Sequence, residues 1–489
     1  MPKDIDPYDY FAHEDEYPDV DYEGACERLA AALRCKTVYT SAEGTDWGEF
    51  QKLQDLMQTS FPCIMSAGTF ELVGHSVLIT VPGSDLDLDA VQLIAHQDVV
   101  PVVCGTEDEW VHDAFSGQID DEWVWGRGAL DIKDMLMAEL EATEYLLSKG
   151  LRPRRTIYLA FGEDEEVHSH GAAAVASELA KRGARSVFLV DEGTTTLFDG
   201  SAYGAPGTMV SDICISQKGY LDIELYASGE GGHSSNPFGG TSLERVCRAV
   251  ARISDNKPAP ELGSIVAGTF EALSPYITEA PFSELVGDVR GNARIIAREA
   301  SRLRELYPFV CTTVAVDCLE GGSAAANVMP GNVRATINFR LLPGVTGQEV
   351  LARVKELIDG TGVDARIAHE TPAGRIDSVE GAGYLQLKEA LEHYHPNVVW
   401  VPSFVCGGTD SVRYEEVCGS ILRVCPFRPA PEEESRGVHG VNERISRRAY
   451  AQGIRVLVRL LENTAFSGVF SRERHHRCSR LAHSKTDLG

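Results

Sequence analysis

Residues 156–171 read TIYLAFGEDEEVHSHG, an apolar run, one glycine and then four consecutive carboxylates from Glu163 to Glu166. Two other stretches share the first half of that pattern, VQLIAH at 91–96 and SVFLV at 186–190. Short, continuous apolar runs of this kind fit strands that are covered on both faces. Between the first two lies DIKDMLMAELEATEYLLSKG, where Ile132, Met135, Leu136, Leu140, Thr143 and Leu147 make one helical stripe and Gly150 supplies the stop. GAAAVASELAKRG, closed by Gly183, separates TIYLAF from SVFLV in the same way. Strands alternating with helices predict an α/β fold, a mostly parallel sheet with helices on both faces. In such sheets the ligand crevice lies outside the carboxyl ends of the strands.

That rule sorts the polar residues by position. His96 and Asp98 follow the first strand, Asp131 opens the helix of WGRGALDIKD, the four carboxylates follow TIYLAF, and Asp191 follows SVFLV. Each has an ordinary explanation by itself: a histidine at a strand end is usually hydrogen-bonded core, Asp131 suits a helix N-cap, and a charge run is usually a solvated loop. Together they place one imidazole and several carboxylates at one crevice, where like charges repel unless a cation neutralises them. A divalent ion, and more readily two, resolves the conflict. Imidazole with carboxylate and no thiolate suits zinc, with cobalt or manganese as substitutes, and suits calcium or magnesium poorly. Paired sites of this type polarise a carbonyl and activate water for hydrolysis. One carboxylate must then stay off the metal as a base. Adjacent Glu165 and Glu166 fit that division of labour.

Composition narrows the remaining classes. The 489 residues carry 45 Lys plus Arg against 73 Asp plus Glu, a net charge of -28, which argues against nucleic acid or an anionic membrane as partner. Twelve cysteines without a CxxC pair suggest reduced thiols. The acidic start has no basic segment followed by an apolar one, and no run reaches the roughly 18 apolar residues of a membrane span. The expectation is a soluble, cytoplasmic protein. Residues 1–24 read as an acidic extension and 466–489 as a basic tail, whose His475 and His476 fit a disordered end better than a metal site.

Downstream the pattern changes. QKGYLDIELYAS from Gln217 and VRATINFRLL at 333–342 alternate like antiparallel strands, with helices expected near SLERVCRAVARI and GQEVLARVKELI and a last strand near VDARIAHE. This predicts a small sheet with two helices on one face, inserted at 215–370 into a catalytic domain formed by 25–214 and 371–465. Residues 256–311 read as an enlarged middle of that insert.

HQDVVPV, WGRGALDIK, GEDEEV, VDEG, GGHSSNP, NVMPGNVRATINFRLLPG, GGTDSVRY and VHGVNERIS occur in this order. In these motifs the chain resembles the dinuclear zinc amidohydrolases that include acetylornithine deacetylase, succinyl-diaminopimelate desuccinylase, aminoacylase and carboxypeptidase S, and it looks nearest to the last. The resemblance implies that His96 and Asp191 bind one zinc, Glu166 and His439 the other, and that Asp131 bridges both. It implies Asp98 as the group orienting His96, and Glu165 as general base and acid. It makes the insert an α+β, ferredoxin-like lid that supports a homodimer, with His233 reaching a neighbouring active site to steady an oxyanion. Arg340, Asn327 and the backbone at Gly407 and Gly408 match positions that hold a substrate carboxylate, although Arg340 equally suits a salt-bridged strand residue. One departure stands out: His168 and Ser169 occupy places where the family commonly has glycines, so the loop after DEEV is expected to run differently and His168 is open as an extra polar group. The implied activity is hydrolysis of an amide beside a free carboxylate in a small peptide, as in a carboxypeptidase or dipeptidase. The alternatives are an N-acyl-amino-acid amidohydrolase and a non-catalytic metal-stabilised binding protein.

Overall fold

A computed structural model describes residues 11–193, 198–427 and 437–467. The three apolar runs are strands Ala90–His96, Ile157–Gly162 and Ser186–Asp191, and every residue of the first is buried. Ala90–His96 lies between the other two and pairs in parallel with both. Ile421–Arg423 extends this block in parallel beside Ser186–Asp191. Around it the sheet is mixed: Ser76–Val81 runs antiparallel to Ile157–Gly162, and Met209–Gln217 with Val399–Val405 form a second parallel pair joined antiparallel to Ile421–Arg423. The carboxyl ends of the four central parallel strands therefore share one rim.

Strand alternation divides the side chains between two layers. Val91, Leu93 and Ala95 face a core with helices Lys133–Ser148 and Arg447–Leu461, while Ile94 faces Ala172, Val175 and Leu179 of helix His170–Lys181. Both expected helices are thus present and cover opposite faces, as continuous apolar strands require.

Antiparallel strands Gly219–Ser228, Asn332–Leu341, Thr313–Gly321 and Asp364–Thr371 make the smaller sheet. Burial alternates residue by residue along Gly219–Ser228, and Leu221, Ile223 and Leu225 pack with Val246, Ala249, Val350 and Val354 of helices Ser242–Asp255 and Gly347–Ile358. Both helices start at a capping box, Thr241 with Glu244 and Thr346 with Glu349. The chain crosses between sheets at Lys218, whose N–H donates to Val405 O at 2.9 Å and whose ammonium donates to Pro308 O and Cys311 O, each at 2.8 Å.

Two expectations need correction. Residues 257–311 do not belong to the small sheet: helices Ser264–Leu273 and Ala293–Ala300 send Ile265, Phe270, Leu273 and Ile296 into the core of the large sheet, and the Thr269 hydroxyl donates to Pro402 O at 2.6 Å. The small sheet already buries its inner face under two helices, so the apolar faces of this segment find cover on the large one. Likewise, residues 11–24 are not an appendage to the catalytic domain but are built into it. Ala12 N–H donates to Tyr394 O, Arg448 pairs with Glu14, and helix Tyr22–Leu33 has already begun. His475 and His476 lie outside the described residues. Among those residues, no helix is long and apolar enough to cross a membrane.

Candidate metal centre

Each element that reaches the rim delivers a polar side chain there. His96 is the last residue of its strand, Glu163 to Glu166 follow Gly162, Asp131 precedes helix Lys133–Ser148, and His439 comes from the loop before strand Arg444–Ser446. Asp131 does not cap its helix: Ile132 holds the N-cap position without a side-chain cap, and the Asp131 carboxylate turns to two histidines. Its Oδ1 lies 3.1 Å from His96 Nε2 and its Oδ2 3.0 Å from His439 Nε2. Glu166 Oε2 stands 3.1 Å from the same His439 nitrogen.

The remaining carboxylate beside His96 belongs to Glu192, with Oε1 3.7 Å from Nε2. Asp191, expected there, points elsewhere. Its residue still lies in the ladder opposite Arg423, and its Oδ2 accepts the Ser411 N–H at 3.1 Å. Successive residues of a strand face opposite sides, so only one of two adjacent carboxylates can reach His96. The longer one, just past the ladder, does so.

The donors form two groups that share Asp131: His96, Asp131 and Glu192, then Asp131, Glu166 and His439, each with its ligand atoms within 4.8 Å of one another. Tetrahedral zinc with bonds of about 2.0–2.1 Å needs donor–donor edges of roughly 3.3 Å. The observed separations of 3.0 to 3.7 Å bracket that value. Electrostatics point the same way. Hydrogen bonds to Asp131 and Glu166 push the His439 imidazole up to about 10. Burial opposes protonation of His96, yet its contacts with Asp131 and Asp98 outweigh that and raise it well above its ordinary value. The carboxylates thus demand positive charge, which a divalent ion would supply.

Fixed backbone contacts hold these side chains. His96 Nδ1 lies 2.9 Å from Asp98 O and 3.4 Å from its carboxylate, so Nε2 is the nitrogen turned to the crevice. The Asp98 carboxylate also accepts the N–H groups of Glu165 and Glu166, each at 3.1 Å, locking the carboxylate loop to the histidine strand. Glu165 is outside both donor groups, and burial together with the neighbouring Glu192 charge raises its carboxyl well above the usual range. Asp164 is buried and accepts the N–H groups of His170 and Gly171, while Glu163 bonds the Ser76 hydroxyl. Ser169 takes φ 57°, so the loop keeps a left-handed residue where glycine was expected, at a steric cost serine carries. His168 is exposed beside the His170 ring and joins neither donor group.

Two contributors escaped the sequence reading. Glu192 was legible as part of VDEG but not distinguishable from its neighbour. Glu443 is fully buried, accepts the N–H groups of Gly128 and Leu130 at 3.0 and 2.8 Å, and pairs with Arg127, which donates onward to Gly440 O. This staple ties the turn carrying Asp131 to the loop carrying His439. Only their proximity in space, across 315 positions, makes it visible.

The expected substrate-carboxylate residues separate into two sets. Arg340 stacks 4.6 Å from the Tyr220 ring, two residues past Lys218, whose N–H donates to Val405 O just ahead of Gly407 and Gly408. His233 and Asn327 lie beyond the opposite end of the same ladder, both exposed, with Ser234 N–H donating to Asn327 O at 3.0 Å. Tyr220, opposite Arg340, and Ser228, at the far end of that ladder, are eight positions apart, about 27 Å at roughly 3.4 Å per residue. Within one chain Asn327 therefore stands with His233 and away from Arg340.

The family model described as Peptidase family M20/M25/M40 matches residues 93–463. The chain is 29% identical over 449 residues to "Probable carboxypeptidase S-like 2" of Dictyostelium discoideum, covering 90% of this chain and 84% of that one. It is 31% identical over 452 residues to the Homo sapiens "N-fatty-acyl-amino acid synthase/hydrolase PM20D1", covering 89% and 87%. Among solved structures, an M20 family metallo-carboxypeptidase from Sulfolobus solfataricus superposes with a TM-score of 0.64 at 18% identity, covering 90% of this chain and 98% of that one.

Proposed function

Since the chain belongs to peptidase family M20/M25/M40 and is a hydrolase, we propose that it cleaves an amide adjacent to a free carboxylate in a small peptide, as a carboxypeptidase or dipeptidase of the carboxypeptidase S type. The observation that carries this reading is Asp131, whose two oxygens each face a different histidine. His96, Asp131 and Glu192 would hold one divalent ion, and Asp131, Glu166 and His439 a second, zinc in preference to cobalt or manganese. Bound there, such ions act as Lewis acids toward a carbonyl oxygen and make water a nucleophile near neutral pH. Glu165, at the centre and outside both donor groups, takes the proton from the attacking water and returns it to the leaving nitrogen. Asp98 positions His96 and the loop bearing Glu165. Arg340 with the backbone at Gly407 and Gly408 receives the substrate carboxylate, since a guanidinium fork matches that planar anion.

His233 serves a neighbouring site across a homodimer formed through the lid. The exposed edge strand Thr313–Gly321, with Val316 and Leu319 on its surface, supports such a contact. A second reading, hydrolysis of N-acyl amino acids, is favoured by a cavity of about 280 Å³ beside Asp131 and Glu192 with walls that include Leu130, Met135, Val424 and Phe427. An extended acyl group fits such walls. The deciding experiment loads the protein with zinc and screens dipeptides against N-acyl amino acids of increasing chain length. Turnover of dipeptides with loss on chelation supports the first reading, and selective turnover of long-chain acyl substrates supports the second. Metal-loaded protein inactive on both series would overturn the hydrolytic assignment of this site.

A further inference from the structure

Away from the rim, the N-terminal segment crosses the end of helix Ala382–Tyr394. Ala12 N–H donates to Tyr394 O at 2.9 Å, and Gln452 Nε2 donates back to Ala12 O at 2.8 Å. His13 has φ 55°, a left-handed turn that swings its imidazole over the ring of His393, with centroids 4.0 Å apart and planes within 10°. Glu16 closes the group. Its carboxylate oxygens lie 3.0 and 3.1 Å from His393 Nε2 and 3.6 Å from His13 Nδ1, and one of them accepts the Tyr394 hydroxyl at 2.8 Å. Tyr17, the next residue, packs edge-on against Tyr145 at 5.8 Å, twelve residues along from Lys133 and so about 18 Å down that helix from the rim at 1.5 Å per residue.

We propose that His13, Glu16 and His393 form a further cation site, for a zinc-type divalent ion, that clips the N-terminal segment to the body of the enzyme. The donor set is two imidazoles and one carboxylate without thiolate, the chemistry of zinc, cobalt or nickel rather than of calcium or magnesium. One ligand atom from each lies within 4.8 Å of the others. The 3.0 and 3.6 Å separations from Glu16 straddle the edge of roughly 3.3 Å that tetrahedral zinc requires. Tyr394 holds the carboxylate from outside, the kind of hydrogen bond that orients a metal-ligating carboxylate. Stacked rings do not aim their lone pairs at one point, so binding turns them apart. His13 has room for this, since its side chain is 48% exposed. Three protein donors leave a fourth position for water. The site joins residues 377 positions apart, so an ion there binds only when the segment is docked.

The site is tested on full-length protein already loaded at the rim, by titration with zinc chloride and by metal analysis after desalting. Wild type is expected to take up one equivalent more than His13→Ala, Glu16→Gln or His393→Ala, whereas a His475→Ala/His476→Ala variant keeps that equivalent. Zinc at 100 times the dissociation constant should slow proteolysis within residues 11–21 by about 100-fold in wild type and leave the His13→Ala protein unprotected. His13 is exposed, so its loss spares the fold, and peptidase activity controls for the rim. Equal zinc uptake by wild type and the His13→Ala protein, or protection that survives that substitution, would overturn the proposal.

Discussion

The two sheets present their functional residues in opposite ways. On the rim of the large sheet, His96, Asp98 and Asp131 are buried, and backbone or side-chain partners hold each one in place. On the small sheet, His233 and Asn327 sit exposed on a short hairpin, Gly232–His233 against Val328–Met329, eight ladder positions or more from Arg340. A preorganised rim can perform chemistry on its own terms, because its dipoles and charges need not rearrange. The hairpin residues, open to solvent, have no such enclosure.

The sharpest test of that contrast is Glu165→Gln. It keeps size and hydrogen bonding but removes the base, so turnover should fall about 100- to 10,000-fold while metal content and folding persist. Metal analysis alongside steady-state kinetics checks it, and near-normal turnover would take Glu165 out of the mechanism.

The neighbouring carboxylates Asp191 and Glu192 divide structure from metal binding. Asp191→Ala leaves the buried Ser411 N–H without its acceptor, which costs about 1–3 kcal/mol. Denaturant unfolding should show that loss with metal stoichiometry unchanged. Glu192→Ala should do the reverse, losing one ion with little change in stability. If Asp191→Ala instead sheds an ion and stays stable, Asp191 rather than Glu192 is the ligand beside His96.

On the lid, His233→Ala should lower turnover by about 100- to 1,000-fold, the usual worth of one oxyanion donor, without moving the melting temperature. Mixing it with Glu165→Gln under conditions of subunit exchange should recover some activity. Failure to recover after proven exchange would confine each lid to its own chain. Smallest of all, Thr241→Ala should cost about 1 kcal/mol through loss of the capping box and leave metal content untouched.

Legibility follows locality. Helix Lys133–Ser148 and the three central strands could be read because apolar runs, stripes and stop signals lie within a few residues of one another. His96, Asp131 and the carboxylates after Gly162 could be sorted to one crevice by their places along the sheet, whereas His439, and Glu166 as the ligand among those carboxylates, came only from the family resemblance. Asp191 and Glu192 could not be ranked, since one peptide separates them and the choice depends on where the ladder to Ile421–Arg423 ends. Ser169 shows another limit: a left-handed position normally signals glycine, and here packing imposes it on serine.

Residues 257–311 carry helical patterns that say they need an apolar partner without saying which, and the core of the large sheet supplied it. The staple from Glu443 to Gly128 and Leu130, and the meeting of Glu16 with His393, join residues 313 to 377 positions apart. Periodicity and charge act over one or two turns of chain, and from them come the elements, the rim and the demand for a cation. Which carboxylate meets that demand, and which distant loops close around it, depends on register and packing between segments that carry no mark of one another until the chain has folded.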